Sequence, residues 1–196
     1  MENIFRDTQR FESDFYIGDY TEYAKTHPSC AKKGVVMSNM PLTEIKTLHF
    51  VNKQHIPVLA INFEKNQNWF KDPKQGSVRN CECMLVSDKA RKKGWLVLAE
   101  LKYCGGEPKT INRNFRHALS QLEGTFLYLR DVKHLFAEKE FRYIWVVSIP
   151  EHDEMIPFSK FYPSPDELLA YKDEYDVNLI CSNTIEIRTH QHIKIE

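Results

Sequence analysis

The chain has 196 residues, 42% of them hydrophobic and 28% charged, and its 27 basic and 27 acidic side chains cancel. This length and composition predict one soluble globular domain over residues 1–196 and exclude a long disordered chain. No apolar run approaches the ~20 residues that a membrane-spanning helix needs, so we expect no membrane partner. Zero net charge also argues against a protein that mainly coats nucleic acid, since such proteins usually carry a basic surplus.

The start of the chain, MENIFRDTQRFESDF, is polar and acidic and lacks the apolar segment of a signal peptide. The five cysteines are an odd number and are scattered without the spacing of a disulfide framework, as expected for reduced thiols. Both features predict a cytoplasmic protein. Within residues 1–40 the many aromatic side chains predict core packing and point to no particular chemistry.

The first segments with a clear pattern begin near residue 41. A proline followed by apolar residues at helical spacing predicts a helix over 41–54. The apolar run PVLAINF, bounded by a proline and a polar loop, predicts a β-strand over 57–63. Glu44 lies off the apolar face of the predicted helix, so we expect an exposed carboxylate there.

A β-hairpin is predicted next. CECMLV (81–86) and WLVLAELKY (95–103) are rich in Val, Leu and aromatic residues, and the charged, turn-like segment SDKARKKG (87–94) joins them. If this loop closes symmetrically about Arg91, the numbers of paired residues sum to 182. All even-numbered positions of the two strands then lie on one face of the sheet.

That register places Glu82 opposite Glu100. Directly opposed side chains have Cβ atoms roughly 4.5–5.5 Å apart, and like charges so placed repel. A carboxylate inside an apolar strand is unfavourable unless it is paired or bound to a metal ion. A divalent cation satisfies both carboxylates at once. Lys102 lies two residues beyond Glu100 on the same face, where its ammonium can partly neutralise the pair.

Four further elements follow the hairpin. Apolar residues recur every three and four positions from 111 to 137 and predict a long helix, and the run FRYIWVVSIP predicts a strand over 141–150. A capping-box pattern predicts a helix over 164–172, and clean alternation predicts one strand over 184–196. The apolar stripe of the long helix consists of Ile111, Phe115, Ala118, Leu119, Leu122, Phe126, Leu129, Val132 and Phe136.

The long helix also carries candidate substrate-binding residues. Lys109, Arg113 and Arg116 lie near its start, where basic side chains and the helix N-terminus together favour backbone phosphates. His117 and Gln121 follow on its polar flank. The alternative for the three basic residues is that they are ordinary exposed cations.

An acidic residue, a hairpin and then Glu-x-Lys near the end of the next strand resemble the signature of the PD-(D/E)XK (restriction-endonuclease-like) nuclease superfamily. Here the pattern is Glu82 followed by Glu100-Leu101-Lys102. The resemblance implies an α/β (α+β) fold with a nuclease-like core over 41–150: a helix, a three-stranded meander, a helix and a strand. Its mixed β-sheet would have about four core strands flanked by helices. Residues 151–196 would add a helix and a strand packed on this core.

The resemblance also implies an activity, a metal-dependent hydrolysis of phosphodiester bonds. Glu82, Glu100 and the carbonyl of Leu101 would hold Mg²⁺ or Mn²⁺, and Lys102 would orient or deprotonate the attacking water. Some branches carry a Gln on the helix after the hairpin that touches the substrate, and Gln121 matches it. The expected partner is nucleic acid, DNA in preference to RNA, and analogy with other small nucleases suggests a homodimer.

Two departures from the family pattern favour a second hypothesis, a nuclease fold without catalysis that serves as a binding or regulatory module. The chain has Asn80-Cys81-Glu82 where the family usually has Asp, and Thr125 stands where a Tyr is expected. In some members a Glu of the first core helix joins the metal site, and Glu44 is the candidate for that position. The neutral net charge also suits a non-catalytic member.

A third hypothesis is cysteine chemistry. Cys104 precedes a Gly-Gly pair whose backbone amides could act as oxyanion donors, and His117 follows in the next helix. The sequence contains no pattern that brings the two side chains together, and it offers no third partner for them.

Overall fold

Two mixed β-sheets and one long helix make up the frame of the computed structural model. The structure describes residues 5–72, 76–88, 93–104, 106–136, 141–152 and 163–195. Among these residues, no helix is both long and apolar enough to cross a bilayer. The mixed α/β composition that the sequence predicts is confirmed.

The strands in chain order are β1 (Thr8–Phe11), β2 (Phe15–Asp19), β3 (Val35–Ser38), β4 (Leu48–Val51), β5 (Val58–Asn62), β6 (Lys71–Asp72), β7 (Gly76–Ser77), β8 (Cys83–Ser87), β9 (Gly94–Leu101), β10 (Phe141–Ser148), β11 (Val177–Cys181), β12 (Thr184–Thr189) and β13 (His192–Ile195). The helices are α1 (Tyr20–Thr26), α2 (Pro108–Leu127) and α3 (Pro165–Tyr175). A 3₁₀ segment covers Glu64–Phe70, and a π-helical turn covers Tyr128–Val132.

The first sheet has six strands in the order β1-β5-β8-β9-β10-β11. The pairs β1 with β5, β5 with β8 and β8 with β9 are antiparallel. The pairs β9 with β10 and β10 with β11 are parallel. The second sheet has five strands in the order β13-β12-β4-β2-β3, and its single parallel pair is β12 with β4. The predicted strands at 57–63 and 141–150 are therefore confirmed as β5 and β10.

The core consists of two apolar layers, one on each face of the first sheet. Even-numbered residues of β8 and β9 pack with α2, and odd-numbered residues pack with the second sheet. The strands β8 and β9 are therefore buried on both faces, which explains why their sequences are almost continuously apolar. A carboxylate on either face of these strands is therefore buried, and Glu100 is 0% exposed although it lies near the end of β9.

Helix α2 follows the predicted stripe closely. It begins at Pro108, a residue that suits the first helical turn because its missing N–H has no intrahelical role there. All but one of the nine predicted stripe residues are buried. Val132 is the exception, 52% exposed, because the α-helical repeat ends at Leu127 and the following π turn rotates later side chains. Ala137, the last residue of the predicted helix, lies outside the described residues.

The helix predicted over 41–54 is wrong. Residues 48–51 form β4, in which Leu48 pairs with Ile17 and Phe50 pairs with Phe15 of β2. The Phe15 and Phe50 rings stack with centroids 4.8 Å apart. Apolar residues at 48 and 50 suit a strand as well as a helix, and pairing with β2, whose residues lie 31 to 35 positions earlier, decides between them.

At the C-terminus, the helix with the capping box is confirmed and the single strand is corrected. Ser164 caps α3 by accepting a hydrogen bond from the Glu167 amide, and the helix runs to Tyr175. Residues 184–195 form a hairpin, β12 and β13, in which Ile187 pairs with Ile193. In this hairpin Ile185, Ile187 and Ile193 are buried, just as they would be in one long strand with one buried face, so the alternation alone could not reveal the turn.

Candidate functional site

The hairpin of β8 and β9 has the predicted register. Cys83 pairs with Ala99 and Met84 with Leu98, so paired numbers sum to 182. Continuing the ladder by one residue places Glu82 opposite Glu100, at the point where β8 begins and β9 ends. Residues 89–92 of the connecting loop lie outside the described residues.

Three hydrogen bonds fix Glu82 and the residue before it. The carbonyl of Glu82 accepts a hydrogen bond from the Phe63 amide at 2.9 Å. Its carboxylate Oε2 accepts one from the Leu101 amide at 3.1 Å. The preceding Cys81 amide donates to the Thr125 hydroxyl on α2 at 2.8 Å. One oxygen of Glu82 is therefore turned toward the end of β9.

Glu100 and Lys102 form a buried ion pair. The Glu100 side chain is 0% exposed and the Lys102 side chain 3% exposed, and the Lys102 Nζ contacts the Glu100 Oε1. Oε1 is occupied by this contact, whereas the buried Oε2 has no hydrogen bond of good geometry among the described residues. A buried carboxylate normally fills its acceptor sites, so this one retains acceptor capacity for a further cation or donor.

Burial and mutual repulsion shape the ionisation of the pair. Burial raises the pKa of Glu82 well above its usual value, and the neighbouring Glu100 carboxylate raises it further. Burial also raises the pKa of Glu100, against the opposing effect of contacts with Glu82 and Lys102. Burial lowers the pKa of Lys102, but the carboxylates of Glu100, Glu82 and Glu22 outweigh it, so the net shift is upward. Lys102 is accordingly a firmly protonated ammonium.

Helix α1 adds a third carboxylate that the sequence interpretation missed. Glu22 Oε1 lies 3.7 Å from the Lys102 Nζ and also contacts the Lys25 Nζ. Asp19, the N-cap of α1, accepts hydrogen bonds from the Thr21 and Glu22 amides and so fixes the first turn. An Asp N-cap followed by Glu three residues later is a helix-start signal, but it does not say where the helix packs.

Comparison with known proteins gives no relative for this chain. No protein-family model, curated protein or solved structure matches this chain. Among the residues that the structure describes, no three His, Cys, Asp or Glu side chains are grouped so that they could hold a metal ion.

Gln121 supports the backbone beside the carboxylates. Its Nε2 donates to the Asn80 carbonyl at 3.1 Å, while its buried Oε1 has no hydrogen-bond partner among the described residues. Thr125, one turn later on α2, donates to the Gln121 carbonyl at 2.7 Å and accepts from Cys81. The two side chains hold the segment that leads into Glu82, which is a positioning role.

The basic residues of α2 are placed differently from one another. Lys109 and Arg113 are exposed on the first turns of the helix. Arg116 is paired with Glu167 of α3 at 2.6 Å, so its charge is directed away from the carboxylates. His117 is an exposed residue of α2, and partial burial of its ring lowers its pKa, as do the charges of Lys102 and Arg79.

Glu44 and Cys104 are not part of this arrangement. The Glu44 side chain is 54% exposed and pairs with Lys32 at 2.6 Å, as expected for a solvated carboxylate. Burial raises the pKa of Cys104, and the side chain of Asn114 interacts with its thiol. A thiol with a raised pKa is a poor nucleophile, so this geometry disfavours cysteine chemistry.

Proposed function

We propose that this protein is a divalent-metal-dependent nuclease of the PD-(D/E)XK kind. The observation that carries the proposal is one buried group of charges at the end of β9, in which Glu82 faces Glu100 and Lys102 contacts Glu100. Burying acidic side chains against each other lowers stability, and proteins retain such arrangements at functional sites.

The order of elements supports the proposal. Strands β5, β8 and β9 form an antiparallel meander, α2 covers one face, and β10 returns parallel to β9. That is the order expected of a restriction-endonuclease-like core. The helix expected immediately before the meander does not form in residues 41–54. The helix that precedes the meander is α1, and strands β3 and β4 lie between α1 and β5.

The donor set fits a hard divalent cation. Glu82 and Glu100 provide carboxylate oxygens, Leu101 provides a carbonyl, and Mg²⁺ is usually held by one or two carboxylates with water and phosphate oxygens. The unfilled acceptor capacity of Glu100 is the structural observation that supports this fit. When bound, such an ion polarises a phosphodiester and acidifies a coordinated water.

Lys102 has a separate part in this proposal. As a buried ammonium it offers donors to a non-bridging phosphate oxygen and stabilises the negative charge that develops there. Its raised pKa keeps it charged, so it orients water or phosphate and does not begin the reaction as a free base. Glu22, 3.7 Å from the Lys102 Nζ, helps to hold the ammonium in place.

The second candidate is a nuclease fold that binds without cutting. One observation favours it: Lys102 already contacts Glu100, and both side chains are almost fully buried, so substrate access requires this contact to rearrange. Calorimetry with Mn²⁺ separates the candidates. Saturable binding that is lost in Glu100→Gln supports the enzyme, and absence of binding at millimolar metal supports the binding module.

The decisive experiment is a cleavage assay with labelled single- and double-stranded DNA and RNA in the presence of Mg²⁺ or Mn²⁺. We expect cleavage by the natural protein and none by Glu100→Gln or Lys102→Met. Glu12→Gln, the same chemical change at a side chain that is 58% exposed, is the matched control and should cut normally. Cleavage that persists in Glu100→Gln would refute the proposed site.

The proposal takes DNA as the preferred substrate, the cytoplasm as the compartment and a homodimer as the assembly. Five free cysteines are consistent with a reducing compartment. Sedimentation with and without DNA measures the assembly, and a monomer under both conditions contradicts the dimer.

A further inference from the structure

A pocket of about 510 Å³ lies between α1 and the segment 42–46. Its lining includes Tyr23, His27, Glu44, Lys46 and Glu151. The volume falls within the range of about 300–1,000 Å³ that is typical of small-ligand pockets. None of these residues belongs to the proposed hydrolytic site.

The pocket and the charged group share two segments of chain. Tyr23 follows Glu22 on α1, and Tyr103 follows Lys102 at the end of β9. The rings of Tyr23 and Tyr103 meet edge to face with centroids 5.5 Å apart. The Tyr103 hydroxyl donates to the Lys46 carbonyl at 2.8 Å, which fixes the wall between pocket and site. The pocket and the charged group are therefore neighbours along both segments, with Tyr103 between them.

The wall of the pocket presents stacked aromatic rings. The rings of Tyr23 and His27 are parallel within 9°, with centroids 3.9 Å apart. Both residues are only half-buried, so the pair adds an accessible aromatic surface to the pocket. Aromatic rings of this kind stack on nucleobases irrespective of base identity, since every base has a π-face.

The charges around the pocket favour a neutral ligand. Glu44 is paired with Lys32 at 2.6 Å, and Glu151 lies 3.4 Å from the His27 Nδ1. The charge of Glu44 is therefore offset by a lysine, and that of Glu151 is offset whenever His27 is protonated. The polar residues Glu44, Lys46 and Glu151 in the lining give the pocket a polar edge for a planar ring.

We propose that this pocket is a nucleobase subsite, in which the base of the nucleotide next to the Glu82, Glu100 and Lys102 site stacks on the Tyr23 and His27 pair. This proposal rests on the proposed nuclease function and narrows its substrate class. A base enters the pocket only after it leaves the helical stack, so the preferred substrate is a single strand or an unpaired end.

The test measures binding without cleavage. Fluorescence anisotropy with a labelled short single-stranded DNA, in EDTA, compares the natural protein with Tyr23→Leu and Tyr23→Phe. Loss of the ring in Tyr23→Leu should weaken binding about 5- to 150-fold, the range that corresponds to loss of one base stack of about 1–3 kcal/mol. Tyr23→Phe keeps the ring and should bind as the natural protein does, and binding of a blunt duplex should be the same in all three.

His27→Leu removes the other ring of the pair and replaces Tyr23→Leu in the assay if thermal unfolding shows that Tyr23→Leu does not fold. The His27 side chain is 41% exposed, so its substitution should disturb packing less. Equal single-strand affinity in the natural protein and the folded leucine variant overturns the subsite. It is likewise overturned if an arginine-rich peptide binds in a Tyr23-dependent manner and the four deoxynucleoside monophosphates do not.

Failure of the subsite and failure of the nuclease proposal give different results. Cleavage by the natural protein with unchanged binding in Tyr23→Leu leaves the nuclease and removes the subsite. Tyr23-dependent binding without cleavage leaves the subsite and removes the hydrolytic proposal. Glu12→Gln should keep single-strand binding in EDTA, since its exposed side chain does not line the pocket.

Discussion

Lys102→Met is expected to destabilise the protein strongly, because it removes the cation that contacts Glu100 inside the core. The Lys102 side chain is 3% exposed and that of Glu100 is 0% exposed, so water cannot replace the lost charge. Methionine is also long and unbranched, so the substitution removes charge with little loss of packing. Removing one partner of a buried ion pair costs about 3–5 kcal/mol.

The loss of stability in Lys102→Met should depend on pH. Burial raises the pKa of Glu100, and the contact with Lys102 opposes that rise. Without the ammonium the pKa of Glu100 increases further, so the variant takes up a proton on Glu100 as the pH falls. A neutral carboxyl no longer requires a cation, and the deficit therefore shrinks toward acid. In the natural protein the raised pKa of Lys102 keeps its contribution fully present until strongly alkaline pH.

Urea unfolding, followed by tryptophan fluorescence at about pH 8 and about pH 5.5, measures this difference. Thermal unfolding reports the same loss as a melting temperature. At 2–4 °C per kcal/mol for a chain of this size, a loss of about 3–5 kcal/mol lowers the melting temperature by about 6–20 °C near pH 8. The double variant Glu100→Gln with Lys102→Met should recover most of the loss. Lys172→Met, which breaks an exposed pair with Asp176, is the control and should cost less than about 1 kcal/mol. A deficit that matches this control, or that is the same at both pH values, would refute the reasoning.

Three further predictions concern the same region and α3. Glu82→Gln should stabilise the protein near neutral pH. The pKa of Glu82 is higher in the folded protein than its usual value, so the stability of the natural protein falls as the pH rises from that usual value to the folded pKa, and glutamine removes this loss. A lower melting temperature of the variant at neutral pH would contradict this. Thr125→Val should cost about 1–3 kcal/mol in urea unfolding, since it leaves the buried Cys81 amide without its acceptor, whereas Thr125→Ser should retain stability. Ser164→Ala should cost about 0.5–2 kcal/mol through loss of the Glu167 amide cap, and an unchanged unfolding midpoint would count against a stabilising role for that cap.

Metal binding offers a pH test of the proposed function. Carboxyl groups with raised pKa values must ionise before they can act as ligands, so Mn²⁺ affinity should increase with pH and binding should release protons. Calorimetry in buffers of different ionisation enthalpy counts those protons. Affinity that does not change with pH would indicate that Glu82 and Glu100 are not the ligands.

The β8 and β9 hairpin shows what local pattern can predict. Two apolar runs joined by a charged loop allow few registers, and the register centred on Arg91 proved correct along the whole ladder. Because side chains alternate with a period of two, that register also determined which face the even-numbered residues share. The relation between Glu82 and Glu100 could therefore be predicted from neighbouring sequence alone.

Elements that depend on distant partners were harder to predict. Residues 48–51 form a strand because β2 and β12 flank them, and nothing within the segment 41–54 encodes those partners. The contribution of Glu22 was missed for the same reason. Its helix-start signal is local, but its approach to Lys102 joins parts of the chain 80 residues apart.

By itself the sequence determined the paired strands, the apolar stripe of α2, the capped helix α3 and the acidic pair with its nearby lysine, because alternation, helical period and capping act over a few residues. Only the tertiary structure decided that Glu100 and Lys102 are almost fully buried, that Glu22 approaches them from α1, and that Tyr23 and Tyr103 separate this group from a neighbouring pocket. Burial and charge proximity depend on how whole layers pack, and that information is spread over the entire chain.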